Sequence, residues 1–122
     1  MNEMKYDITR RVTILDQGKI GIHRYAILSL GTHPVAYVEI PSNYPVFKKH
    51  YSDIEIEVHG GLTYGGDAYW IEDDGSFWIG WDYAHVGDYT SLCYNSPDSK
   101  KWTTSEIYDD VLSVIKQLET KQ

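Results

Sequence analysis

The sequence has one cysteine, Cys93. That excludes an internal disulfide and a cysteine-based zinc cluster. Basic residues are scarce: 11 lysines and arginines stand against 18 aspartates and glutamates, for a formal charge of −7. This balance argues against direct nucleic-acid binding and against an anionic membrane surface, since both need a positive counterface. No window approaches the ~20 apolar residues of a membrane span. The opening MNEMKYD lacks the apolar run of a secretory leader. There is no repeat, linker or low-complexity stretch, no GxxxxGK[ST] phosphate loop and no HExxH metal helix. These absences leave a soluble protein of a reducing compartment. At 122 residues it forms a single domain spanning the whole chain, 1–122.

What is abundant is tyrosine, with 11 residues, and the densest mixture of side chains falls in residues 58–89. That stretch carries two of the five histidines, three of the four tryptophans and most of the glycines. Tyrosine supplies area and a hydroxyl at small entropic cost, so it suits binding surfaces as well as half-buried strands.

Before that stretch, Ile8, Val12 and Ile14 lie on a β-rich run ending at a turn signal, Asp16-Gln17-Gly18. Arg10 and Arg11 are adjacent on this run and point to opposite faces. Further strands are expected over 19–30 and 35–40, and the short connections between them require an antiparallel meander. Residues 53–58 alternate Ile54 and Ile56 with Glu55 and Glu57, the pattern of a half-buried strand. Residues 69–71 and 77–82 read as a hairpin about Asp74-Gly75. Tryptophans on both faces of the return strand imply that both faces are covered or that one is a binding surface. Residues 83–101 read as loop. Thr103 and Glu106 form a capping box, and Ile107, Val111, Val114, Ile115 and Leu118 make one apolar helical stripe. Asp109 and Asp110 suit the positive helix start. The expected fold is α+β: an antiparallel sheet, meander plus hairpin, packed against one C-terminal helix.

Two segments carry candidate chemistry. His59-Gly60-Gly61 sets an imidazole beside backbone that can approach a ligand closely. Asp82, His85 and Asp88 recur at three-residue spacing. Together with His59 they offer two imidazoles and two carboxylates, a set that suits a divalent metal or an acid–base pair. A plain reading is also open, in which Asp82 caps a turn and bonds His85. Trp70, Trp78, Trp81, Tyr64, Tyr69, Tyr83 and Tyr89 could stack a nucleotide-sized ligand, with Arg24, Lys48, Lys49 and His50 as donors to its phosphates. Cys93 reads as an inert buried thiol.

The segments YVEIP, YPVFKKHYSDI, VHGGLTY, WIGWDYAHVGDY and the terminal KWT…VIKQL resemble a family of small uncharacterised proteins encoded by phages and prophages of Gram-positive bacteria. The resemblance covers roughly residues 35–120, and HGGLTY and WxGxDxAHxGD are its most specific parts. Family members tend to read FDCAH where this chain has Trp81-Asp82-Tyr83-Ala84-His85. The absence of that cysteine argues against an essential thiol. The resemblance implies a phage accessory protein acting in the host bacterial cytoplasm and supplies no activity.

Three functions follow as expectations. The first is a binding protein for counter-defence that sequesters a small nucleotide-type signal through His59, Gly60, Gly61, Thr63, Tyr64, Trp81, Asp82, His85 and Asp88, with no cofactor required. The second is a metal-assisted or His/Asp acid–base hydrolase using His59, Asp82, His85 and Asp88. The third is an acidic decoy for a host DNA-binding protein, using Asp53, Glu55, Glu57, Glu72, Asp73 and Asp74. A homo-oligomer is compatible with each.

Overall fold

A computed structural model describes residues 12–85, 87–90 and 98–122. Ile8, Arg10, Arg11 and Cys93 lie outside the described residues. Strand β1 (Thr13–Ile20) pairs antiparallel with β2 (His23–Ser29). The turn between them is Gly21-Ile22, not Asp16-Gln17-Gly18, which lies within β1 opposite Ile27, Ala26 and Tyr25. Gly21 takes φ 62°, and positive φ at the first position of a two-residue loop matches the sheet's twist. The Asp16 carboxylate is used across the sheet instead, accepting from the Tyr25 hydroxyl at 3.0 Å.

β3 (Pro34–Ile40) continues the meander, and β5 (Phe77–Asp82) then pairs antiparallel with β3 along its whole length. The partner on the far side of β5 is β4 (Tyr64–Gly66), giving the order β1-β2-β3-β5-β4. This corrects the expected hairpin. Residues 69–71 form a helical turn in which the Ile71 and Glu72 amides both reach the Ala68 carbonyl. Asp74 does not sit in a two-residue hairpin loop. Its carboxylate accepts from the Ser76 amide at 3.1 Å and pairs with Arg24 at 3.0 Å, which shapes a longer loop.

Residues 53–58 are likewise not a strand. A 3₁₀ turn (Tyr51–Asp53) leads into extended chain that pairs with no strand among the described residues. The alternation still sorts the side chains, with Ile54 and Ile56 buried and Glu55 and Glu57 exposed. A side chain stands in for the missing neighbour strand: Gln117 accepts from the Glu57 amide and donates to the Glu57 carbonyl, both at 2.8 Å.

The helix α1 (Thr104–Glu119) starts as its sequence requires. Thr103 Oγ1 accepts from the Glu106 amide at 3.2 Å, and Glu106 accepts from the Thr103 amide at 3.0 Å. Ile107, Val111, Val114, Ile115 and Leu118 are all buried against Tyr25, Ile27, Val38, Ile40, Ile79 and Trp81. Each such side chain contributes roughly 1.5–3 kcal/mol of gross burial free energy. Asp110 lies beyond the first turn and bonds Tyr83, so it does not act at the helix start.

The other face of the sheet packs Ala26, Leu28 and Val35 beneath Tyr37, Trp70 and Ile71. Trp78 is fully buried. Both faces are therefore covered, and the architecture is α+β with an antiparallel sheet. No helix among the described residues is long and apolar enough to cross a membrane.

Candidate functional site

Three pieces of chain meet beyond the end of β5. The first leaves β5 at Asp82, next to the Tyr83 amide, which donates to the Pro34 carbonyl at 3.1 Å. It then closes on itself: the His85 amide donates to Asp88 Oδ2 at 2.9 Å, and the Asp88 amide donates to the His85 carbonyl at 2.8 Å. The second piece is the turn at His59, closed by the Gly61 amide on the Val58 carbonyl at 2.8 Å. The third is Trp102, immediately before the helix cap.

Gly60 explains why this turn needs glycine. Its φ is 70°, and a Cβ there would lie 2.1 Å from His85 Cε1. The His85 ring therefore rests on bare backbone, and any side chain at 60 would displace it. Gly61 also has positive φ, at 79°, but faces open space.

Asp88 is the hub. It is buried, yet it accepts from His59 Nε2 at 2.8 and 3.0 Å, from Trp102 Nε1 at 2.8 Å and from the His85 amide. Burial alone would push its pKa up. The bonds from His59, the His85 amide and Trp102 outweigh that effect and hold the carboxyl below its ordinary value.

His59 is fixed on both sides. Its ring stacks on Tyr83 at 5.1 Å with a 6° tilt and leans on Trp102 at 4.7 Å. Tyr83 accepts from Trp81 Nε1 at 2.9 Å and donates to Asp110 at 2.6 Å. Burial, with help from Asp110, raises the Tyr83 phenol far above its ordinary pKa, so it stays protonated.

His85 is less constrained. Its Nε2 lies 3.5 Å from Asp82 Oδ1, within ion-pair range and long for a hydrogen bond. Its Nδ1 lies 3.4 Å from Asp88 Oδ2 and is buried without a hydrogen-bond partner among the described residues.

Of the expected site residues, His59, Gly60, Asp82, His85 and Asp88 come together. Gly61 serves the turn. Thr63 is held in the sheet ladder by its amide bond to the Gly80 carbonyl. Tyr64 packs edge-on with Tyr37 and Trp70, and Trp81 is core beneath the helix. Tyr83 does stack, but on His59. Arg24 is engaged by Glu39 and Asp74. Trp102 and Asp110 were not anticipated as site residues. A tryptophan next to a helix cap carries no periodic signal, and its indole N–H becomes informative only once Asp88 is placed beside it.

The ligand-capable atoms of His59, His85 and Asp88 lie within 4.8 Å of one another and could hold a metal. They are the one such group among the described residues. A hollow of about 340 Å³ opens beside Trp102, lined also by Lys101, Tyr89, His33 and Thr32. The chain matches no family model, no curated protein and no solved structure. The centre's chemistry therefore rests on its own geometry: two imidazoles, each near a carboxylate, with rings 5.4 Å apart.

Proposed function

We propose that this chain is a hydrolase of a small molecule, with His59, Asp82, His85 and Asp88 as its water-activating centre. One observation carries this reading. Asp88 fixes His59 through Nε2, while a second imidazole, His85, keeps a ring nitrogen 3.4 Å from the same carboxylate with no hydrogen bond of its own among the described residues. A carboxylate that accepts from Nε2–H leaves the lone pair of neutral His59 on Nδ1, which makes it a general base. His85, backed by Asp82, supplies the matching acid. Such a pair accelerates proton transfer by about 10²–10⁴-fold.

The resemblance to phage accessory proteins directs the choice of substrate to small nucleotide-type signals. The test is incubation with cyclic dinucleotides, ADP-ribose derivatives and NAD, with products followed by mass spectrometry. Turnover lost in His85→Ala supports the reading, and no product from any of them overturns it.

A second reading, capture of the signal without turnover, is favoured by the hollow beside Trp102, where Tyr89 and Trp102 offer ring surface and Lys101 a cation. It predicts thermal stabilisation by one of the same ligands with no product formed. The acidic-decoy reading has less support. Glu72 and Asp74 pair with Arg24 on the face away from the helix, whereas Ile54 and Ile56 anchor Glu55 and Glu57 on the helix side, so the six carboxylates form no single stripe.

A further inference from the structure

We infer that His59, His85 and Asp88 bind a divalent transition-metal ion, with Asp82 supporting His85 from behind. Two imidazole nitrogens and one carboxylate favour ions of the zinc, cobalt, iron or manganese class over magnesium or calcium, which prefer all-oxygen shells.

The spacing fits. With bonds of about 2.0–2.2 Å, ligand atoms around a four-coordinate ion stand about 3.3–3.6 Å apart. His85 Nδ1 and Asp88 Oδ2 are 3.4 Å apart. His59 Nε2 and Asp88 Oδ2 are closer, at 2.8 Å, because a proton bridges them. An ion at this centre displaces that proton and asks the pair to open by about half an ångström.

His85 offers the most specific sign. A buried polar nitrogen without a hydrogen bond is rare; among the described residues Nδ1 of His85 is one of two, and it is turned toward the Asp88 carboxylate. Its other nitrogen faces Asp82 at 3.5 Å, the place an outer carboxylate takes behind a metal-binding histidine. Asp88 likewise retains donors from Trp102 and the His85 amide, which orient it as a ligand. Three protein ligands leave a further position open, the arrangement of catalytic rather than structural sites. Gly60 completes the design by leaving room for the His85 ring against the backbone beside His59.

The inference shares its centre with the hydrolase reading and rests on it only for the ion's role: an ion held by His59 and His85 would take the place of their acid–base pair in activating water, and its binding can be measured without turnover. The experiment strips the full chain with a chelator and titrates it with Zn²⁺ and Co²⁺, using calorimetry and visible absorption. The expected result is one ion per chain, release of a proton, and the intense absorption of low-coordinate cobalt. His59→Ala and His85→Ala should lose at least 100-fold in affinity, and Asp82→Asn about 10-fold. Circular dichroism checks that each variant folds, and His85→Asn serves as the gentler replacement if His85→Ala does not.

Absence of stoichiometric binding, or a His85 variant that binds like the wild type, overturns the metal site. Stoichiometric binding without turnover leaves the metal site standing and overturns the hydrolase reading. Equal turnover by stripped and loaded chain supports the hydrolase and overturns the ion's role in it.

Discussion

Two charged clusters occupy this fold, and they are built differently. On the face away from the helix, Arg24 donates to both oxygens of Glu39 at 2.8 Å and to Ser76 at 2.5 Å, and pairs with Asp74 at 3.0 Å. Its guanidinium lies over Trp78, 5.3 Å from the ring. The bond from Arg24 is the largest influence on Glu39 and lowers its pKa, while Glu39 raises that of Arg24. The bidentate pair joins β2 to β3 and is closed, and the contacts of Arg24 with Asp74 and Ser76 tie the 67–76 loop to the sheet. At the other cluster burial is the largest influence on Asp88 and opposes ionisation, and one imidazole nitrogen beside it has no hydrogen bond among the described residues. Trp78 Nε1, near Arg24, also lacks a hydrogen-bond partner among the described residues, but an indole N–H can only donate, whereas an imidazole between carboxylates can take up a proton or an ion. That contrast is why the function is assigned to Asp88 and its histidines and not to Arg24.

The contrast can be broken most forcefully at Gly60. Gly60→Ala forces a Cβ into the His85 ring at a φ that side chains rarely adopt. We expect a stability loss of roughly 3 kcal/mol, read by urea denaturation, together with loss of turnover. Full activity in this variant would detach His85 from the site.

Glu39→Gln comes next. Breaking a charged, mostly buried bidentate pair should cost roughly 1.5–3 kcal/mol. Turnover and ion affinity should be unchanged at temperatures where the variant is folded. A loss of activity at full folding would mean that the two clusters are coupled.

A smaller effect is expected from acid. The folded pKa of Asp88 lies below its unfolded value, so its ionised form stabilises the fold fully above about pH 4. That contribution fades as pH falls through the folded value. The stability gap between wild type and Asp88→Asn should therefore shrink below about pH 4 in urea titrations from pH 7 to 3. A gap that is constant across that range would show that Asp88 acts without its charge.

The smallest effect belongs to Trp102→Phe. It keeps an aromatic wall for His59 but removes one donor from Asp88, at a cost of about 1 kcal/mol. Ion affinity should fall a few-fold. An unchanged thermal midpoint and affinity would make the indole N–H incidental.

Much of this was legible in the sequence, for reasons that also explain the failures. The helix was readable because its cap and its stripe are both local. The meander was readable because its connections are short. Residues 53–58 alternate correctly, but alternation reports only which side chains are buried and cannot say whether the neighbour is a strand or the amide of Gln117. The hairpin was misread because Tyr64-Gly65-Gly66 has little strand character of its own and pairs with β5 by proximity, while Asp74 was drawn to Arg24. At the site, His59, Asp82, His85 and Asp88 stood out as residue types, and the structure brings them together. The part played by Gly60 was hidden, since it depends on a ring 25 positions away in the chain. Trp102 was hidden for the same reason.

One feature of the helix reaches further than its packing. Trp102 sits just before its first turn, Asp110 holds Tyr83 from its middle, and Gln117 holds Glu57 two residues before His59. Each of the three groups around Asp88 is therefore tied to the same rod. Docking of that rod braces the centre, so local opening of the helix is expected to loosen it. By mass action, whatever occupies the centre must in turn hold the helix down. Occupancy should then be visible at a distance, as slower amide hydrogen exchange along 107–118, in a segment that contributes no ligand of its own.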